Sequence, residues 1–276
     1  MMKVLFFQKG PYHNFDLVVK QAMRKNGDVV VLTDDAYLGK LPCETVDYRN
    51  YWKGAEEFAK IYQHKSTLVY EFELVCFQRW FAFAEYLEAT QYDGPAFTPD
   101  SDVMIFSDMQ HEWEQYWKGN HFTLSMGTWA GSSFWENRDW LSALCAYTIG
   151  IYNSPDSDLA KQIFQHYDNL QSKGLPGGVC DMTLCQWFAK VLSLGTVGET
   201  SDVVNGSTID HNILMDNQGN YKFTMDGTHK NIKFENGLPV CKATGPLGIS
   251  SVRFNTIHCS RNHALIPEFY AKGESK

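Results

Sequence analysis

Apolar and polar positions fall into short blocks over the first hundred residues. Residues 3–7 form an apolar run closed by Gln8-Lys9-Gly10, and residues 29–32 form a second, closed by Thr33-Asp34-Asp35. Runs of this length bounded by turn formers predict strands buried on both faces. Between them Leu17, Val18 and Ala22 recur at helical spacing, which predicts a helix from residue 15 to about 25 with Asn14 as its N-cap. Beyond the segment Val46-Asp47-Tyr48, two more helices are predicted, near 52–63 and 72–90. The second is apolar almost all round, the mark of a helix buried on most sides. Asp93-Gly94 ends it, and residues 96–106 read as one strand interrupted by Pro99-Asp100-Ser101-Asp102.

This β-α-β-α-β order predicts an α/β sheet with ligands at the C-terminal ends of its strands. The middle of the chain, 111–194, is more helical and rich in Trp and Gly. From 209 to 243 the pattern changes to strand-like pieces (212–215, 221–225, 231–234, 240–243) separated by turns rich in Gly, Asn and Asp, which predicts an antiparallel meander. The expected fold is therefore a single α/β domain over 1–276: a Rossmann-like mixed sheet flanked by helices, with the meander toward the C-terminus.

Composition narrows the function classes. An apolar fraction of 44% and a charged fraction of 20% are those of a globular chain. The net charge of −8 and the lack of a basic stripe argue against a nucleic-acid partner. No apolar run approaches the roughly 20 residues of a membrane span, and the N-terminal run is too short for a signal peptide, so a cytoplasmic protein is expected. Seven scattered cysteines without a CxxC pair fit reduced thiols and speak against a structural zinc site. Without a secretory signal, the sequon at Asn205 reads as incidental.

Two Asp-Ser-Asp triplets occur. Asp156-Ser157-Asp158 follows Asn-Ser-Pro and leads into a helical pattern, so its acids read as helix-start residues. Asp100-Ser101-Asp102 instead interrupts an apolar strand. Two carboxylates at the end of a buried strand repel each other and are poorly solvated; a hard divalent cation that shares its oxygen ligands with a substrate phosphate relieves both costs. Glu73 and Arg79 are charges on an otherwise apolar helix, and a spacing of six keeps them off one face, so each needs another partner. Trp129-Ala130-Gly131-Ser132-Ser133 suits the wall of a sugar pocket or the core.

A helix carrying Phe72-Glu73-Leu74 and Cys76-Phe77-Gln78-Arg79-Trp80-Phe81, then Asp100-Ser101-Asp102-Val103, then Gly177-Gly178-Val179-Cys180-Asp181, then Ile257-His258-Cys259-Ser260-Arg261, resembles in its order the small GT-A-fold glycosyltransferases of bacterial and viral glycan assembly, among them cytosolic sugar transferases of large algal viruses. The resemblance covers about 1–200 and 250–265. It departs from the family's pattern at Thr98-Pro99, where an apolar residue is usual, and at Ser260 and Arg261, where Gly and Lys are usual.

The resemblance implies a Mn²⁺ or Mg²⁺ site formed by Asp100, Asp102 and His258, and a nucleotide-sugar donor, UDP by preference, bound over residues 1–110. Gln8, Lys9, Gly10, Thr33 and Asp34 are then candidates for base and ribose contacts, with Arg79, Asp100, Ser101 and Arg261 toward ribose or diphosphate. A glycan acceptor would lie over 111–276. Asp181 is the leading candidate for the base or acceptor contact, with capping of the helix 182–192 as its alternative role, and Glu73 stands behind it. A non-catalytic carbohydrate-binding protein and a DxD-type phosphohydrolase are the competing readings. The latter expects its triplet at the end of the first strand, and here it ends the third or fourth.

Overall fold

The computed structural model describes residues 1–192, 196–260 and 262–274. Its first part alternates mutually parallel strands with helices: β1 (Lys3–Gln8), helix α1 (Phe15–Met23), β2 (Val29–Thr33), β3 (Glu44–Asp47), α2 (Lys53–Ile61), α3 (Tyr70–Ala89) and β4 (Ala96–Pro99). β1 lies between β2 and β4, so the chain reverses its direction of sheet growth at β1/β4, the place where open α/β sheets bind ligands. Asn14 precedes α1 in a left-handed conformation (φ 62°) and makes no side-chain cap. Contrary to the expected N-cap, its amide donates instead to the carbonyl of His263 at 3.2 Å.

The expected single strand over 96–106 is two strands in two sheets. β4 stays in the first sheet, whereas β5 (Val103–Ile105) joins a second. Then follow α4 (Met109–Glu112), β6 (Phe122–Leu124), β7 (Ser132–Trp135), α5 (Arg138–Asn153), α6 (Asp158–Ser172), α7 (Asp181–Val191) and β8 (Val197–Glu199). The first sheet closes in the order β3-β2-β1-β4-β7-β6-β8, with β7 antiparallel to β4. The second acidic triplet does start a helix: Ser157 caps α6 by accepting the N–H of Ala160.

The C-terminal part is antiparallel except where β9 runs parallel to β16, and it is longer than predicted. Residues 212–215 are turns rather than a strand. The strands are β9 (Ser207–Ile209), β10 (Asn217–Gln218), β11 (Tyr221–Phe223), β12 (Met225–Asp226), β13 (His229–Lys230), β14 (Lys233–Glu235), β15 (Leu238–Gly245) and β16 (Gly248–His258), with α8 (Leu265–Lys272) after them. β15 and β16 form a long hairpin that extends well past residue 243.

Strand alternation divides the core. Leu5, Phe7, Val30 and Leu32 pack with Phe77, Phe81 and Phe83 of α3. Val4, Phe6, Val29 and Val31 pack with Phe15 and Val18 of α1 and with Phe254 and Ile257 of β16. The first sheet is thus buried on both faces, by helices on one side and by α1 and the second sheet on the other. Each wholly buried Phe contributes about 1.5–3 kcal/mol, and α3 is buried around most of its girth, as its sequence predicted. The mixed α/β class with a flanking antiparallel sheet is the one expected.

Candidate functional site

The Asp100–Asp102 turn is the crossover from one sheet to the other. The Asp100 N–H donates to the Gly131 carbonyl at 2.7 Å, beside the β4–β7 pair, and the Val103 N–H closes the turn on the Asp100 carbonyl at 3.0 Å. Ser101 Oγ donates to the Phe7 carbonyl at 3.0 Å and so ties the turn to the end of β1. On leaving the turn, β5 pairs with β16 so that Val103 and His258 are register partners. That pairing, with the Cys259 N–H donating to the Asp102 carbonyl at 2.9 Å, brings the C-terminal histidine to the triplet. One ligating atom each from Asp100, Asp102 and His258 lies within 4.8 Å of the others.

Charge at the site is paired in a chain. Arg79, from α3, donates through Nη1 to Asp100 and through Nη2 to Asp181 at 2.9 Å. Asp181 Oδ2 also accepts from Trp80 Nε1 at 3.1 Å, and its Oδ1 accepts the Met182 N–H at 2.9 Å. His258 Nε2 lies 3.3 Å from Asp102 Oδ1. Burial raises the Asp100 carboxyl above its ordinary value, and Arg79 offsets only part of that. Burial acts the same way on Asp102, but there His258 prevails and the carboxyl is held low. For His258, burial opposes the charge, yet Asp102 and then Asp100 push its pKa up to about 9.

The same geometry accounts for the glycines. A Cβ on Gly131 would run into Asp100 Oδ2, so the small-residue segment 129–133, expected as pocket wall or core and buried throughout, makes room for a carboxylate. Trp129 stacks on His258, with ring centroids 4.4 Å apart. Gly178 serves packing rather than ligand approach: a Cβ there would meet the Lys65 carbonyl oxygen at 2.1 Å. Asp181 is the first residue of α7, and the cap before it is Cys180, paired with Thr183.

Glu73 and Arg79 do not pair with each other, as expected from their spacing. Glu73 is buried, accepts from Ser66 Oγ at 2.8 Å, and has an oxygen within 4.8 Å of Asp181 and of the Cys180 sulfur. Burial, helped by Asp181, pushes its carboxyl up to about 7. Burial also pushes the Cys180 thiol up to about 11, so it is neutral.

The loop candidates lie at the ends of β1 and β2. Gly10 N–H donates to Asp34 Oδ2 at 2.8 Å, Gln8 turns its amide onto the carbonyls of Lys9 and Gly10, and Lys9 is exposed. Thr33 is wholly buried, and its hydroxyl has no partner among the described residues, so it lies behind this surface rather than on it. Arg261 lies outside the described residues. Sequence reading passed over Tyr12, whose hydroxyl is 3.0 Å from His263 Nε2 and whose pKa is raised by burial and then by Asp102. Only its place in the Gly-Pro loop after the first strand hinted at it. His211, held neutral by burial with its pKa near 4, was likewise missed.

The donor set fits a divalent ion of the Mg²⁺/Mn²⁺ kind. It offers two carboxylates and one imidazole, few enough to leave positions for phosphate oxygens and water. The imidazole is already oriented, since His258 Nδ1 lies 2.7 Å from the His211 carbonyl, the outer hydrogen bond that ligating histidines use.

No protein-family model matches this chain, and no curated protein sequence does either. Among solved structures it is similar to apo mouse xyloside xylosyltransferase 1, at 9% identity, over 75% of this chain and 87% of that one, with a TM-score of 0.47. It is similar also to the galactosyltransferase LgtC in complex with donor and acceptor sugar analogs, at 13% identity, over 75% and 76%, with a TM-score of 0.41. The bifunctional glycosyltransferase WbbM overlaps at 11% identity, over 75% and 40%, with a TM-score of 0.42. Overlaps this shallow fix neither the substrate nor the mechanism of this chain.

Proposed function

We propose that this protein is a metal-dependent glycosyltransferase that moves a sugar from a nucleoside diphosphate, UDP by preference, to a glycan hydroxyl. The observation that carries the reading is the convergence of Asp100, Asp102 and His258 within 4.8 Å beyond the C-terminal end of β4, with the Arg79 cation beside them. Those three would hold Mn²⁺ or Mg²⁺, which when bound supplies Lewis-acid neutralisation of the departing diphosphate. Residues 1–110 form the donor half and 111–276 the acceptor half of one GT-A-like domain.

Within that reading, Arg79 offers a second cation to the diphosphate, and Asp181 holds it in place. Ser101 and the loops at Gln8–Gly10 and Asp34 border the nucleotide, with Tyr12 beside the metal ligands. Arg261 is retained as a diphosphate contact from the sequence pattern alone. Asp181 and Glu73 stand at the far end of Arg79, on the acceptor side. Glu73, its carboxyl pushed up to about 7 by burial, is matched for proton transfer near neutral pH. A phosphohydrolase of the DxD type would carry its triplet at the end of the first strand, whereas Asp100 follows β4.

Thermal melting with UDP, GDP or free sugars, each with and without Mn²⁺, tests the proposal. Stabilisation by a nucleoside diphosphate only when Mn²⁺ is present is expected. No stabilisation by any nucleoside diphosphate with Mn²⁺ would sink it, and stabilisation by free sugars alone would point to a carbohydrate-binding protein.

A further inference from the structure

The strongest feature outside the site is a fully buried lysine. Lys230, at the end of β13, and Asp210, just after β9, form an ion pair with side chains 0% and 1% exposed. Lys230 Nζ also donates to the Asn212 carbonyl and to Gln218 Oε1, both at 3.0 Å. Buried ion pairs are weak sources of stability, because desolvation offsets most of their attraction; their better-attested use is to fix one arrangement of the groups around them.

What this pair fixes is the histidine at the site. Asp210 spends one oxygen on Lys230 and gives the other, Oδ2, to the N–H of His258 at 3.0 Å. Gln218, itself wholly buried, accepts from Lys230 and also from the His211 N–H at 3.0 Å. The His211 carbonyl in turn faces His258 Nδ1 at 2.7 Å. Two of the hydrogen bonds that hold His258, at its backbone N–H and at Nδ1, therefore come from the 210–211 segment, and that segment is anchored on the ammonium of Lys230. The anchor comes from the β12–β13 hairpin, an element that contributes nothing to the site directly.

We infer that Lys230 is a positioning residue: through Asp210 and Gln218 it presents His258 Nε2 to a divalent cation. The inference rests on the metal-site reading above. Removing an outer partner of a ligating histidine weakens metal binding about 10- to 100-fold.

The experiment is Mn²⁺ titration calorimetry on the full chain, with folding checked by near-ultraviolet circular dichroism. Lys230→Met with Asp210→Asn removes both charges together and keeps an acceptor for the His258 N–H. Gln218→Met leaves the Lys230–Asp210 pair in place but removes the acceptor shared by the His211 N–H and Lys230, together with the bonds its amide donates to Ser201, Thr208 and Ile209, so it serves if the first variant does not fold. Both are expected to lose about 10-fold or more in Mn²⁺ affinity. In a His258→Ala background the same changes are expected to add no further loss, because sites acting through one residue are not additive. Folded variants with wild-type affinity, or with the same loss in the His258→Ala background, overturn the inference while leaving the metal site standing. Wild-type protein that binds no Mn²⁺, or a His258→Ala variant that binds it undiminished, removes the metal-site reading and this inference with it.

Discussion

His258 Nε2 stands 3.3 Å from Asp102 Oδ1 because β5, which starts right after Asp102, pairs with β16 in a register that sets Val103 opposite His258. The proximity has a consequence for pH. Without metal, the pair favours imidazolium up to about pH 9, but a ligating imidazole must be neutral. Mn²⁺ affinity should therefore rise about tenfold per pH unit below pH 9 and level off above it. Calorimetry from pH 6 to 9.5 checks this. For the metal-free fold the sign is opposite: the raised pKa stabilises fully below about 6.5, and that contribution is lost as pH rises through about 9. A Mn²⁺ affinity independent of pH would contradict His258 as a ligand.

Asp102→Ala removes one carboxylate of the candidate set and the partner of His258. Turnover should fall by about 10³-fold or more, the equivalent of the several kcal/mol that a Lewis acid supplies. Nucleoside diphosphate binding should lose its dependence on Mn²⁺. Steady-state kinetics and titrations with and without the ion measure both.

Arg79 joins Asp100 to Asp181, and its side chain is only 16% exposed. Arg79→Gln removes the shared counter-ion of two poorly solvated carboxylates and should cost about 3–5 kcal/mol of stability. Mn²⁺ should restore part of it by neutralising Asp100. Urea unfolding with and without Mn²⁺ reads the difference; an equal loss in both would place Asp100 outside the ion's reach.

Two glycines separate site from scaffold. Gly131→Ala drives a Cβ into the Asp100 carboxylate, so Mn²⁺ affinity and turnover should fall more than the melting temperature. Gly178→Ala drives one into the backbone of Lys65 and Ser66, and should destabilise the fold by about 1–3 kcal/mol. Comparing melting curves with metal titrations for the two variants checks the contrast.

Glu73 has its carboxyl pushed up to about 7 from 4.5 by burial. A raised acid binds its proton more tightly in the folded state, so its contribution to stability is present below about pH 4.5 and is lost as pH rises through about 7. Glu73→Gln should flatten this slope and be at least as stable as the wild type at pH 8. Urea unfolding at pH 5 and pH 8 tests it.

Local pattern was enough for much of this protein. The runs at 3–7 and 29–32 and the all-round apolar helix through Phe77–Trp80–Phe81 declare themselves, since burial on both faces demands continuous apolar side chains. The acidic triplet at 156–158 was recognisable as a helix start because acidic residues just ahead of a helical pattern are themselves a local signal. Tertiary structure alone decided the rest. Nothing in residues 96–106 announces that one apparent strand is shared between two sheets, because strand propensity does not name the partner. Nothing near Arg79 announces Asp100 and Asp181 as its counter-ions, and nothing near Lys230 announces His258. Those relationships come from strand register and helix packing between segments far apart in the chain, where the cost of burying a charge is met by whichever opposite charge the fold brings beside it.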